Sequence, residues 1–222
     1  IVVFPAGFYT FKDIMTDNEE RFIKDKVIEK LGVINSNILI CIGVDCNPIK
    51  NTHTCKDQLA IVLDKRGIVN IGRKFYPMEK EKNIINYANN YLSNENGKNR
   101  IFKFDNKKYY LAICYDIKGI SQNKESLYRN PGVDGILNFI HGFKPNNSVY
   151  YFARNIAEAS YNWKCPVYAS VFFFNRKIKK WPSGIYSNKE VKKNWNYSQN
   201  ELKNLIEYAV FHKGEKAIVK CF

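Results

Sequence analysis

Apolar and polar positions follow one another in blocks that predict short buried strands, hairpin turns and single helices. Ile1–Phe4 is apolar and closed by Pro5, which reads as a strand end. Thr16 and Glu19 form a capping box, and Phe22, Ile23, Val27 and Leu31 recur behind them at helical spacing until Gly32. Asn37–Val44 is an apolar strand followed by a polar loop through His53. Leu59–Leu63 and Ile68–Ile71 flank Asp64-Lys65-Arg66-Gly67, a hairpin signature. Glu79–Leu92 predicts a helix with Ile84, Ile85, Ala88, Tyr91 and Leu92 on one side, and Asn94–Asn99 a polar turn.

Arg100–Phe104 and Lys108–Cys114 predict a second hairpin around Asp105-Asn106. Val133–Ile140 is a further buried strand. Ser148–Trp163 is a helix with Val149, Phe152, Ala153, Ile156, Ala157 and Ser160 inward, stopped before Pro166. Val167–Phe174 and Ser183–Ser187 read as strands, Leu202–Phe211 as a helix and Ala217–Cys221 as a closing strand. Several strands are apolar on both faces, so their sheets are covered, and a layered α/β fold follows. No repeat, low-complexity segment or linker divides residues 1–222, which read as a single domain.

Composition agrees: 45% of the 222 residues are hydrophobic and 15% aromatic, a globular balance with enough chain for a sizeable core. The formal net charge is +14, from 35 Lys and Arg against 21 Asp and Glu. Such a field can attract nucleic acid or an anionic membrane. Here the surplus is mostly Lys, spread along the chain among many Asn, and reads as a solvated surface. A nucleic-acid interface would need basic and aromatic residues gathered on one face, whereas the Tyr and Phe read as core. No run approaches the roughly 18 apolar residues of a membrane helix. With no signal peptide visible, the cytoplasm is the expected compartment. The first residue is Ile inside an apolar run, so the natural chain is expected to begin further upstream.

The six Cys lie at irregular spacings. Cys41, Cys46 and Cys55 with His53 could suggest zinc, but no CxxC pair is present and Cys41 lies within an apolar run, so no metal is expected. Cys41 and Cys114 both fall in apolar strands, which argues against a disulfide framework. In Leu111-Ala112-Ile113-Cys114-Tyr115-Asp116, an apolar strand ends on a Cys and polar residues follow at once. A strand's C-terminal end holds a side chain rigidly at the cleft that α/β folds use for ligands. A nucleophilic thiol also needs a nearby cation, and Lys74, after a hairpin strand in Gly72-Arg73-Lys74-Phe75-Tyr76-Pro77, could supply it. Read alone, each segment also fits a blander role: a small core thiol, and an exposed basic strand end. The third segment, Val2-Val3-Phe4-Pro5-Ala6-Gly7-Phe8-Tyr9, is an apolar strand turning at Pro and Gly. A papain-type pair would need His141 or His212 as base, and neither lies in a motif for it.

Together the three segments resemble the nitrilase superfamily of carbon–nitrogen hydrolases. That family has a strand ending in Phe-Pro-Glu, a later strand-end Arg-Lys, and an Ile-Cys-Tyr-Asp strand end. The second is matched by Arg73-Lys74 and the third by Ile113-Cys114-Tyr115-Asp116. Gly135-Ile136-Leu137-Asn138, the helix through Ala157-Glu158, Val167–Phe174 and Gly184 follow in the family's order. The resemblance covers nearly the whole chain, with the family's first strand and helix expected before Ile1. It implies a four-layer αββα sandwich, a homo-oligomer, no cofactor, and a small amide or nitrile as substrate. Cys114 would be the nucleophile and Lys74 its partner. The Tyr115 N–H would join Lys74 at the oxyanion, and Tyr9, Asp116 and His141 would shape the pocket.

One departure matters. The family's catalytic Glu, which acts as general base, falls on Ala6. Ala cannot move a proton, and such help is typically worth about 10²–10⁴-fold. The residue could be a laboratory substitution, the mark of an inactive binding or scaffold protein, or offset by another carboxylate. Glu79 and Glu81, shortly after Lys74, lie where the family often has a supporting Glu, although acids at a helix start also favour the dipole. Asp13 and Glu125 are weaker candidates.

Overall fold

The computed structural model describes residues 1–11, 38–46, 56–92, 100–122, 128–141, 148–171, 183–187 and 206–209. The elements are β1 (Val2–Val3), β2 (Tyr9–Phe11), β3 (Ile40–Cys46), β4 (Lys56–Asp64), β5 (Gly67–Arg73), β6 (Ile85–Asn86), β7 (Ile101–Phe104) and β8 (Lys107–Ile113). These are followed by α1 (Asp116–Ser121), β9 (Gly135–Ile140), α2 (Ser148–Trp163), β10 (Val167–Val171), β11 (Gly184–Tyr186) and β12 (Ile206–Ala209).

They make two mixed sheets. In the first, the strands run β1-β3-β4-β5, with β2 also on β3 and β6 also on β4. In the second they run β12-β11-β10-β9-β8-β7. Strands β8, β9 and β10 are parallel neighbours, with Ile113 opposite Phe139 and Val171 opposite Ile140. Both predicted hairpins form. Asp105 and Asn106 take φ of 50° and 61°, the left-handed pair that lets a two-residue turn match strand twist. In the other turn the Arg66 N–H donates to Asp64 Oδ1 at 2.8 Å.

Side-chain alternation builds the layers. Cys41, Ala60 and Val62 of the first sheet and Leu111, Ile113, Leu137 and Phe139 of the second share one buried cluster, the seam between the sheets. The opposite face of the second sheet, with Tyr110, Ala112, Ile136 and Ile140, packs against Ile117 and Ile120 of α1 and Phe152, Ala153, Ile156 and Ala157 of α2. The far face of the first sheet carries Ile42, Val44, Leu59, Ile61 and Leu63, also buried. Helix, sheet and sheet are therefore three described layers. The expected helix after Thr16, the closing strand at 217–221, and the candidates Asp13 and Glu125 lie outside the described residues.

Two expected helices are corrected. Over Glu79–Leu92 there is only a 3₁₀ turn, Glu79–Glu81, and the short strand β6. The backbone there bonds to neighbours instead: Lys56 N–H donates to Ile84 C=O at 2.7 Å and Ala88 N–H to Lys74 C=O at 2.8 Å. The segment is rich in Asn, a poor helix former whose side chain competes for backbone bonds. Within Leu202–Phe211, β12 runs antiparallel along β11. Ile and Tyr favour strands, and the edge of β11 supplies the partner that a local helical pattern does not foresee.

Candidate active site

Cys114 follows the last residue of β8. Its φ is +47°, the left-handed region, where a residue with a Cβ costs about 1–2 kcal/mol. The strain is held from both sides. The Cys114 N–H donates to Phe139 C=O at 2.6 Å. The Ile113 N–H donates to Asp116 Oδ2 at 2.9 Å. A strand thus turns abruptly into the short helix α1 and presents the thiol at the carboxyl ends of the parallel strands β8 and β9, where α/β folds bind ligands.

Lys74 enters from the other sheet, one residue past β5. Its N–H donates to Gln58 C=O at 3.0 Å. The next two amides, Phe75 and Tyr76, donate to Asp116 Oδ1 at 2.9 and 2.8 Å. The Lys74 side chain is fully buried and its Nζ lies 2.5 Å from Glu81 Oε2. A buried ammonium persists only with such counter-charge. The partner is Glu81 and not Glu79. The 3₁₀ turn directs Glu79 outward, 84% exposed, onto Lys82 at 3.0 Å, whereas Glu81 is 20% exposed and faces in.

Ala6 is 2% exposed within the seam between the sheets. A Cβ on Gly43 would stand 2.3 Å from Ala6 Cα, so the Pro5–Gly7 turn lies directly on β3 and needs glycine beneath it.

His141 is the unexpected member. It follows β9 as Cys114 follows β8, and its ring and backbone N–H both interact with the Cys114 thiol. Its Nε2–H donates to Asp45 of β3, 2.9 Å from Oδ1 and 3.0 Å from Oδ2. The Gln58 amide reaches 3.5 Å from the same nitrogen. His141 and Asp45 keep 23% and 26% side-chain exposure, enough for water to reach them. Sequence reasoning placed His141 among pocket-lining groups and missed Asp45. The available signal was strand alternation, which puts Asp45 on the same seam-facing side of β3 as Cys41.

Electrostatics single out Cys114. Burial raises Cys41 and Cys46 far above the usual thiol range and Cys165 to about 12. Burial also acts to raise Cys114. There the His141 side-chain bond, the His141 charge, the Lys74 charge and the His141 amide outweigh it, and the thiol is held below its usual value. Burial acts to lower His141, but the bonds to Asp45 and Cys114 and their charges raise it to about 10. The two shifts favour, within the pair, a proton on the imidazole rather than on the thiol.

Two expected pocket residues are elsewhere. Tyr9 packs with Phe4, Ile42 and Val44 on the far face of the first sheet, because alternation along β2 turns it from the seam. Asp116 is fully buried, and both its oxygens are occupied by backbone N–H groups and Arg100, so it braces the site. Tyr115 remains beside Cys114, its hydroxyl accepting from Lys118 Nζ at 2.7 Å. Among the described residues no group of His, Cys, Asp and Glu could hold a metal, and no helix is long and apolar enough to cross a membrane.

No family model matches the sequence, and no curated protein matches it in sequence. Solved structures do match in shape. A CN-hydrolase superfamily protein from Xanthomonas campestris with an arsenic adduct in its active site superposes with a TM-score of 0.57 at 11% identity, over 98% of this chain and 76% of that one. A mutant of the amidase from Nesterenkonia sp. AN1, carrying the product of Michael addition of acrylamide at its active-site cysteine, gives 0.52 at 10% identity, over 84% and 71%. Glutamine-dependent NAD+ synthetase from Acinetobacter baumannii gives 0.51 at 15% identity; 92% of this chain spans 37% of that one. With its two mixed sheets and these relatives in shape, the chain has the fold of the carbon–nitrogen hydrolase, or nitrilase, superfamily.

Proposed function

We propose that this chain hydrolyses a non-peptide carbon–nitrogen bond, in an amide or a nitrile, through a covalent intermediate on Cys114. The observation that carries the reading is the placement of Cys114, on a strained turn at the strand ends; the His141 ring and the Lys74 charge act to hold its thiol below the usual value. A thiolate is the nucleophile that such chemistry needs. In an amide, Cys114 Sγ bonds to the carbonyl carbon and the C=O electrons move to oxygen. Lys74 and the Tyr115 N–H stabilise that oxyanion. Collapse breaks the C–N bond and leaves a thioester for water. Glu81 keeps the Lys74 ammonium in place.

A second reading is favoured by Ala6: a protein that keeps the pocket and binds small amides without turning them over. One experiment separates the two. The chain is incubated with acrylamide and with a panel of aliphatic amides and nitriles, following covalent mass at Cys114 and ammonia release. Labelling faster than a free thiol together with ammonia release, both lost in Cys114→Ala, is the hydrolase outcome. Saturable binding of the panel without ammonia release supports the second reading. Labelling at an ordinary thiol's rate with neither binding nor release removes both.

A further inference from the structure

We propose that His141, oriented by Asp45, carries the protons for cleavage at Cys114, in place of the carboxylate missing at position 6. The inference rests on the hydrolase reading of Cys114. Three elements converge on this histidine. Strand β9 delivers it beside the nucleophile, which β8 delivers at the same end of the same sheet. Strand β3 of the other sheet delivers Asp45 to its Nε2. The Pro5–Gly7 turn, where the carboxylate would stand, presses on the pair instead: a Cβ at Gly7 would lie 3.2 Å from His141 Cδ2 and 3.3 Å from Asp45 Oδ2. With Nε2 given to Asp45, Nδ1 is the ring nitrogen left to serve the thiol. A nucleophile, a base and a group that orients the base form a catalytic constellation recognised by geometry and not by sequence position.

The protons balance. His141 takes the Cys114 proton, giving thiolate and imidazolium. After the thiolate adds to the amide carbon, the imidazolium protonates the leaving nitrogen as the C–N bond breaks. The neutral imidazole then takes a proton from water as its oxygen attacks the thioester. Collapse expels the thiolate beside a renewed imidazolium and releases the carboxylic acid. Among the described residues, the groups facing His141 are Asp45 from β3, the neutral Gln58 amide from β4, Gly7 from the first turn, and Cys114 with Lys74 acting beyond it. Asp45 is the carboxylate among them, and it orients the ring and favours the imidazolium.

The test is the rate of Cys114 alkylation by iodoacetamide against pH in the full chain and in His141→Gln, Asp45→Asn and Lys74→Ala, by intact mass and peptide mapping. The proposal expects His141→Gln to move the thiol toward its free value of about 8.5, each unit cutting thiolate at neutral pH about tenfold. Asp45→Asn moves it part of the way. Hydrolysis of any amide turned over falls by about 10²–10⁴-fold in His141→Gln. Wild-type alkylation in His141→Gln, with loss only in Lys74→Ala, overturns the proposal and leaves the hydrolase reading standing. An ordinary thiol in the unmodified chain removes that reading as well. Should the variants fold poorly, ¹⁵N spectra of the three histidines in the unmodified chain decide. A His141 titration that shifts when Cys114 is alkylated supports the proposal, and one unmoved by that alkylation overturns it.

Discussion

Asp116 and Arg100 meet at 3.2 Å with neither side chain exposed, at the point where the strand ends carrying Lys74 and Cys114 come together. Asp116 holds the amides just past Lys74 with one oxygen and the amide just before Cys114 with the other. Arg100 donates to the carbonyls of Arg73 and Leu111, and lies over the Phe75 ring at 4.9 Å. Cys114 and Lys74 come from different sheets, so their spacing depends on this clamp.

Replacing Asp116 by Ala removes the acceptor of the Phe75, Tyr76 and Ile113 amides and the counter-charge of the buried Arg100 guanidinium. Breaking such a pair costs about 3–5 kcal/mol. Urea unfolding is expected to show a loss of that order in Asp116→Ala and a smaller one in Asp116→Asn, which keeps one acceptor oxygen. A midpoint unchanged in both would mean that the clamp does not hold the strand ends.

The two acids of the 3₁₀ turn are expected to behave differently. Glu81→Gln removes the counter-charge from a buried ammonium, so amide turnover falls and Cys114 alkylation changes. Glu79→Gln removes an exposed ion pair, worth about 0–1 kcal/mol, and leaves both rates as they were. Parallel rate measurements on the two variants check this. Equal effects would contradict the inward placement of Glu81.

Much of this architecture was legible in the chain. Both hairpins, the helix Ser148–Trp163 and the strands bearing Cys114 and Lys74 follow from local apolar runs and turn residues, which act over a few neighbours. The helices expected at Glu79–Leu92 and Leu202–Phe211 did not form, because β4 and β11 offer strand partners that a local period cannot see. The same limit hid the Asp45 contact. Asp45 and His141 are 96 positions apart, and only the stacking of two sheets joins them. Asp116 resembled a pocket residue because its sequence position beside Cys114 does not reveal that Phe75, Tyr76 and Arg100 saturate it.

Two groups set the pH dependence. Cys114 lies below its usual value, so alkylation and turnover are expected to persist below the usual thiol range and to fall only as the thiolate is protonated. His141 is raised from 6.5 to about 10, so its imidazolium, which the proposed cleavage uses to protonate the leaving nitrogen, is lost as pH rises through about 10. In stability, the raised His141 contributes fully below pH 6.5 and loses that contribution as pH rises through about 10. Asp45→Asn removes a main cause of the raise, so the alkaline limb of activity should move down. A pH–rate profile of both proteins checks this. An alkaline limb unmoved in Asp45→Asn would assign it to another group.

Placing a carboxylate at position 6 sets two readings of this site against each other. If the chain is a decayed enzyme that lost its base, Ala6→Glu should raise ammonia release by about 10²-fold or more. If His141 carries the protons, the substitution has nothing to restore. Ala6 is 2% exposed, and its backbone lies on Gly43 with no room for a Cβ between them. The neighbouring Gly7 already packs against His141 and Asp45. A larger, acidic side chain would overpack this turn at about 1–3 kcal/mol and add a negative charge near a thiolate that the surrounding cations stabilise. The expected outcome is lower stability, slower Cys114 alkylation at neutral pH, and turnover no higher than that of the unmodified chain. Amide hydrolysis before and after the substitution, with urea unfolding alongside, separates the cases. A large gain in rate would place the missing base at position 6 and return His141 to the pocket wall.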